Sequence, residues 1–451
     1  MDEDATELDF AHGESVGGYR RRRTGPVAKW LPQIAVHWRN SQARRRARAV
    51  ARDSHRRVWT INGDFLALQP TGVTRYAREV TLALDALLAA KHPLTDGLEL
   101  SILAPRLVGE ALTLRAIEMR IVPEFNRPRL PQFWVQAQLP WHMRGGLLSF
   151  CNFAPMVTRR HIVCIHDRRQ FGWAHRVILP ILGRQARVVT TVSTLSRDDL
   201  VGHGVVPAGK IVVTYNGSDH VTRWSPRLAK LNLAGARPFV LCIGRNQKHK
   251  NVELMVRIAQ LLEGAGIELY MAGDIDAEVV SRQGGRVPGN LRLLGRVSDH
   301  DLAKLLSRAL CFVSPSRIEG FGLPAVEAMA LGCPVVASSA PCLPEICRDA
   351  ALYAAPDDAA AWVDAIGRLR SDPELRRRMI AHGYARAHAC SWRRIAETYL
   401  QLMARIDAGG DAAPALAAAG DVLSRGKSGA PSRPASREAV SGPIRHREPA
   451  Q

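Results

Sequence analysis

Two glutamates, Glu319 and Glu327, stand with seven residues between them in SPSRIEGFGLPAVEAMALGCPVVASSAPCLPE, residues 314–345. Carboxylates accept hydrogen bonds from hydroxyls and do not bind phosphate. The intervening Gly320, Phe321, Gly322 and Leu323 form a loop before Pro324, which can open a helix. The free amides and positive dipole end of a helix N-terminus attract an anion. Phosphate in the middle with a polyol at each end describes a nucleotide sugar. A second cluster, Gly244-Arg245-Asn246-Gln247-Lys248-His249-Lys250-Asn251, brings cationic side chains to a strand-to-helix loop, where they suit an anion. A third, His166-Asp167, ends the apolar run 161–165.

The elements around these groups alternate between strand and helix. Segments at 57–61, 98–103, 117–122, 146–150, 161–165, 188–192 and 211–215 predict one set of strands. Runs at 238–243, 267–272, 291–294, 309–313, 334–337 and 351–353 predict a second. Several are continuously apolar, as strands buried on both faces of a parallel sheet are. Helices are expected at 73–90, from Ser193, at 252–263, 299–307 and 324–331, and at 358–369, 374–387 and 392–406. Glu327 falls on the first turn of the helix over 324–331. Gly72, before the first helix, lets a ligand approach the backbone. The fold class is therefore α/β, and ligands belong beyond the carboxyl ends of the strands, where Asp167 and Lys250 both fall.

The chain of 451 residues, 46% hydrophobic and 23% charged, can hold two domain-sized cores. We expect a basic, disordered segment 1–54, a first domain 55–225, a linker 226–237, a second domain 238–390, a final helical segment 391–410 and a disordered tail 411–451. The net charge is +20, and the N-terminal flank carries Arg20 to Arg23, Arg44 to Arg46, Arg48 and Arg52. No apolar stretch reaches the length of a membrane span, and Asp2, Glu3, Asp4 and Glu7 stand where a signal peptide needs positive charge, so a cytoplasmic protein is expected. The eight cysteines form no metal-ligand spacing, and no metal is expected.

The stretch FVSPSRIEGFGLPAVEAMALGCPVVASSAPCLPEI resembles the E-x7-E signature of retaining glycosyltransferases of family 4, which have the GT-B fold. The loop from Gly244 to Asn251 is similar to the family's G-R-x4-K-N motif. "IHD" at 165–167, Thr71-Gly72 and the Asn216-Gly217-Ser218-Asp219 passage resemble further family features, as does Ser391-Trp392, which looks like the cap of the final helix. The resemblance implies two Rossmann-like lobes facing a cleft, with that helix crossing back to the first lobe. It implies that Glu319 contacts the transferred hexose and Glu327 the ribose, that Arg245 and Lys250 grip the diphosphate, and that backbone near Val297 cradles the base. His166 and Asp167 then face the sugar and the acceptor. Arg168 and Arg169 depart from the apolar residues more usual there.

The expected reaction is transfer of a hexose, mannose being one candidate, from GDP-mannose or a UDP-sugar to a glycan or lipid-linked acceptor in polysaccharide assembly. It needs no cofactor, and cationic side chains take the place of a metal ion, since no acidic DxD-type pair is present. The basic flanks would suit the anionic inner face of the cytoplasmic membrane at about 1 kcal/mol per charge. The alternatives are a non-catalytic GT-B protein that binds nucleotide sugar, a related epimerase, and a nucleic-acid-binding protein. The last lacks RNP-like aromatics, zinc ligands or a recognition helix, so no specific nucleic acid is expected.

Overall fold

The computed structural model describes residues 56–109, 111–125, 133–168 and 173–410. The segments expected to be disordered, 1–54 and 411–451, lie outside the described residues, as does Arg169.

The first sheet contains β1 (Arg57–Asn62), β2 (Leu98–Ala104), β3 (Glu118–Ile121), β4 (Gly146–Ser149), β5 (His161–Cys164), β6 (Val188–Thr191) and β7 (Ile211–Val213), in the order β3-β2-β1-β4-β5-β6-β7. The second contains β8 (Phe239–Arg245), β9 (Glu268–Asp274), β10 (Leu291–Gly295), β11 (Phe312–Ser314), β12 (Val335–Ser338) and β13 (Ala351–Ala354), in the order β10-β9-β8-β11-β12-β13. Every strand pairing is parallel. In each sheet the first strand lies inside and the order reverses beside it, between β1 and β4 and between β8 and β11. That reversal splays the loops apart at the carboxyl ends and leaves a crevice, the ligand position of a doubly wound fold.

Helices cover the sheets. The first lobe has α1 (Gly72–Ala89), α2 (Trp173–Gln185) and α3 (Thr194–Gly202). The second has α4 (Val252–Glu263), α5 (Ala277–Gly284), α6 (Asp299–Arg308), α7 (Leu323–Ala330), α8 (Leu343–Cys347), α9 (Ala359–Ser371) and α10 (Pro373–Ala389). Helices α2, α5 and α8 were not expected. Pro180 lies inside α2, and α5 is only eight residues long and buries just Val279 and Val280.

The last helix, α11 (Trp392–Asp407), crosses back onto the first lobe and packs against α1. It buries Ile395, Tyr399, Leu400, Leu402 and Met403, each worth about 1.5–3 kcal/mol if fully removed from water. The Tyr399 hydroxyl hydrogen-bonds Tyr76 at 3.0 Å and Thr190 at 2.6 Å. At its far end Asp407 accepts from Arg57 at 2.7 Å and from the Trp59 indole at 3.0 Å. Ser391 is the N-cap residue of this helix as expected, and Asp219 supplies the acceptor, taking the Trp392 amide at 2.9 Å.

Candidate active site

The cationic loop begins two residues later than its sequence suggests. Gly244 and Arg245 still pair with Gly273 and Asp274 of β9, so Arg245 is the last residue of β8 rather than a loop residue. A 3-10 turn, Lys248–Lys250, follows and ends at Asn251, whose φ of 58° and ψ of 47° are left-handed. Asn tolerates that conformation better than most side chains. Its amide donates to the carbonyls of Pro315 at 3.2 Å and Pro356 at 2.7 Å, which ties the turn to the loops after β11 and β13. The amide of Arg317 donates to the His249 carbonyl at 2.8 Å, joining the same two loops by their backbones. Lys250 is thereby aimed at Glu319, and its ammonium donates to Glu319 Oε1 at 2.6 Å. The His249 imidazole has its pKa lowered by partial burial and by Lys250, while Glu319 and Asp167 pull the other way.

Beyond Glu319 the chain turns through Gly320 and buried Phe321 to Gly322, whose φ of 84° caps α7. A side chain at Gly322 would need a backbone that L-residues rarely adopt, and its Cβ would meet Leu343 at 2.5 Å. Leu323, also buried, begins the helix and brings its first amides to the crevice. Gly320 faces the first lobe: an added Cβ would lie 3.6 Å from the His166 carbonyl.

Glu327 is the fifth residue of α7, so it sits on the second turn and not the first. It is buried, and its Oε1 accepts from His220 Nε2 at 2.9 Å with Arg75 Nε 3.8 Å away. Arg75 comes from α1 of the first lobe. It reaches α6 of the second with a forked pair of bonds to Asp299, at 3.0 and 2.7 Å, and lies 5.1 Å from the Trp224 ring centre. Burial works against its charge, but Asp299 and Glu327 more than offset this and its pKa is raised. Val297 lies between β10 and α6, half-buried against the core and two residues before Asp299.

On the first lobe, the His166 amide donates to Asn152 Oδ1 at 2.6 Å. The ring is 5% exposed, with Nε2 donating to the Phe150 carbonyl at 2.8 Å and the Tyr76 ring edge-on at 4.9 Å. With Nε2 committed to Phe150, a ligand can be met only through the other nitrogen. Asp167 is half-buried and within electrostatic reach of His249, from the opposite lobe. Gly72 begins α1, exposed, and a Cβ there would meet nothing within 4 Å. Thr71 and Thr74 cap this helix reciprocally.

The structure thus brings Lys250 and Glu319 into contact and sets His166 behind Gly320. It keeps Glu327 and Val297 toward the Arg75 and Asp299 side. Sequence reasoning did not find Arg75, His220, Asp299 or Glu345. The Glu345 carboxylate accepts from the first amides of α3, Thr194 at 2.8 Å and Leu195 at 3.3 Å, a second tie between the lobes. Asp64, in the loop after β1, was also missed. It is buried, its Oδ1 has no partner, and burial raises its pKa to about 7.

Residues 227–386 match the family described as glycosyl transferases group 1. The matched segment covers about a third of the chain. It holds all the second-lobe residues named above. The O-antigen chain mannosyltransferase B of Escherichia coli is 36% identical over 222 residues, 46% of this chain and 58% of that protein. The O-antigen chain mannosyltransferase RfbU of Salmonella typhimurium is 28% identical over 253 residues, 52% of this chain and 70% of that protein. The match thus spans less than two thirds of the first of these relatives.

Two solved structures share the architecture. Sucrose-phosphate synthase from Thermosynechococcus elongatus superposes with a TM-score of 0.60 at 22% identity, over 79% of this chain and all of that one. HepE from Anabaena, in complex with UDP and glucose, gives 0.56 at 17% identity, over 77% of this chain and 99% of that one. Together with the two parallel sheets and the returning α11, they identify the fold as GT-B.

Proposed function

We propose that this chain is a retaining hexosyltransferase, moving a sugar from a nucleotide sugar to a glycan or lipid-linked acceptor. The observation that carries the reading is the pairing of Lys250 with Glu319 at the switch point between β8 and β11, in the segment that matches glycosyl transferases group 1. Glu319 accepts hydrogen bonds from the hydroxyls of the hexose, and Glu327 from those of the ribose. Arg245, Lys250 and the first amides of α7 hold the diphosphate.

In the reaction the bond from the anomeric carbon to the diphosphate oxygen breaks, and negative charge grows on that oxygen. Donors already in place for that charge are the largest contribution such a site can make. Lys250 exchanges its partner from Glu319 to the departing phosphate. The acceptor hydroxyl forms the new bond on the same face and gives its proton to the leaving phosphate. His166 and Asp167 border the acceptor side.

The relatives named as mannosyltransferases favour mannose from GDP-mannose, while the HepE complex keeps a UDP-sugar in view. The basic residues of segments 1–54 and 411–451 support work at the inner face of the cytoplasmic membrane. Among the described residues no helix is long and apolar enough to cross a membrane. A thermal-shift screen of nucleotide sugars followed by donor hydrolysis tests the reading. A stabilising donor that is turned over supports it, whereas binding without turnover would leave a nucleotide-sugar-binding protein.

A further inference from the structure

The Asn216-Gly217-Ser218-Asp219 passage and Trp392 are not used by the reaction as proposed, yet they meet beside Glu327. Gly217 is where the indole of Trp392 passes: an added Cβ would lie 2.4 Å from the Trp392 amide nitrogen and 2.6 Å from its ring. Ser218 binds the end of α10 through its amide, which donates to the Cys390 carbonyl at 3.0 Å, and through its hydroxyl, which donates to the Ala387 carbonyl at 2.9 Å. Asp219 caps α11 through the Trp392 amide. The next residue, His220, is fully buried with its ring edge-on to Trp224, centroids 5.2 Å apart.

The Trp392 indole donates to His220 Nδ1 at 3.0 Å. An indole N–H can only donate, so Nδ1 must be the acceptor and the ring proton must sit on Nε2. That proton is the one given to Glu327 Oε1, at 2.9 Å. A chain of two directed hydrogen bonds therefore runs from the first residue of the returning helix to the carboxylate of α7. A carboxylate has about four acceptor positions, so a ring nitrogen on Oε1 leaves Oε2 free to take a hydroxyl.

We propose that Trp392 and His220 are positioning residues that aim the Glu327 carboxylate at the ribose hydroxyls of a nucleoside diphosphate, so that the returning helix sets ribose recognition. The inference rests on the reading of Glu327 given above. Partners that fix a recognition side chain are known to govern affinity without touching the ligand.

The test is calorimetric titration of the full chain with GDP and UDP, and with their 2′,3′-dideoxy counterparts. Wild type should prefer the ribonucleotide by about tenfold or more, the scale of hydrogen bonds to a charged group. Trp392→Phe keeps an aromatic ring, smaller than the indole, and removes the donor. It should weaken the ribonucleotide by about five- to tenfold and leave the dideoxy affinity unchanged, so the preference shrinks. His220→Gln, whose amide can reproduce the Nε2 donor, should retain most of it. A Trp392→Phe protein that keeps the full preference overturns the relay and spares the donor-site reading. Wild type without any ribose preference overturns the role of Glu327, and wild type that binds neither nucleotide overturns both. Should Trp392→Phe fail to fold, histidine nitrogen NMR of the wild type, with His220→Gln giving the assignment, decides the matter. The Nε2–H tautomer is expected, and an Nδ1–H or doubly protonated His220 would overturn the relay.

Discussion

The ammonium of Lys250 and the carboxylate of Glu319, 69 residues apart in sequence, meet at 2.6 Å with side-chain exposures of 18% and 15%. Both groups are largely out of water, so removing one leaves the other without its counter-charge. Lys250→Met should destabilise the protein by about 1–3 kcal/mol, and adding Glu319→Gln should restore most of the loss. Urea denaturation of the two single variants and the double variant measures this coupling. Additive losses would mean that the pair contributes nothing as a pair.

Arg75 and Asp299 join the lobes from α1 to α6. Because the Asp299 side chain is 43% exposed, solvent screening limits the pair to about 0.5–1 kcal/mol. A double-mutant cycle with Arg75→Ala and Asp299→Asn should return a coupling of that size, falling with added salt. Small-angle scattering of Asp299→Asn should show a larger radius of gyration than wild type. Identical scattering would mean that other contacts alone, such as Glu345 on the α3 amides, hold the lobes together.

Asp64 makes stability depend on pH. Its ordinary pKa of 3.8 is raised by burial to about 7 in the folded protein. Between these values the native state keeps a proton that the unfolded chain has lost. The contribution is therefore complete below the unfolded value and is lost as pH rises through the folded one, by up to about 1.4 kcal/mol per pH unit. Asp64→Asn stays neutral throughout, so its stability relative to wild type should improve by about 2 kcal/mol from pH 5 to pH 7 and then level off. Denaturation midpoints across this range check the trend, and a constant difference would contradict it.

Deleting residues 1–54 should weaken co-sedimentation with vesicles containing anionic lipid and leave binding to neutral vesicles unchanged. Equal sedimentation with and without the segment would remove it as a membrane anchor.

Much of the fold was legible because parallel strands buried on both faces are written as unbroken apolar runs. Residues 239–243 of β8 are one, and α4 occupies the expected span Val252–Glu263. The Glu319 and Lys250 motifs were legible because a glycine loop before a helix carries its own local signal. Contacts between the lobes were not, since Arg75 meets Asp299 across 224 residues and nothing local in either marks the other. The same holds for His220, which looks like an ordinary residue at the end of the first domain until Trp392 and Glu327 are seen on its two nitrogens. Arg245 was placed in a loop because glycine followed by a charged residue usually ends a strand, whereas pairing with β9 carries this one two residues further.

The central claim is that Lys250 neutralises the departing diphosphate of a nucleotide sugar. Rapid-quench measurement of nucleoside diphosphate release from bound GDP-mannose and UDP-glucose, comparing wild type with Lys250→Ala, tests it most directly. Release should slow by roughly 10²–10³-fold while donor affinity changes far less, the loss expected for one electrostatic contact made in the transition state. A Lys250→Ala protein that releases the diphosphate at nearly the wild-type rate would contradict the account.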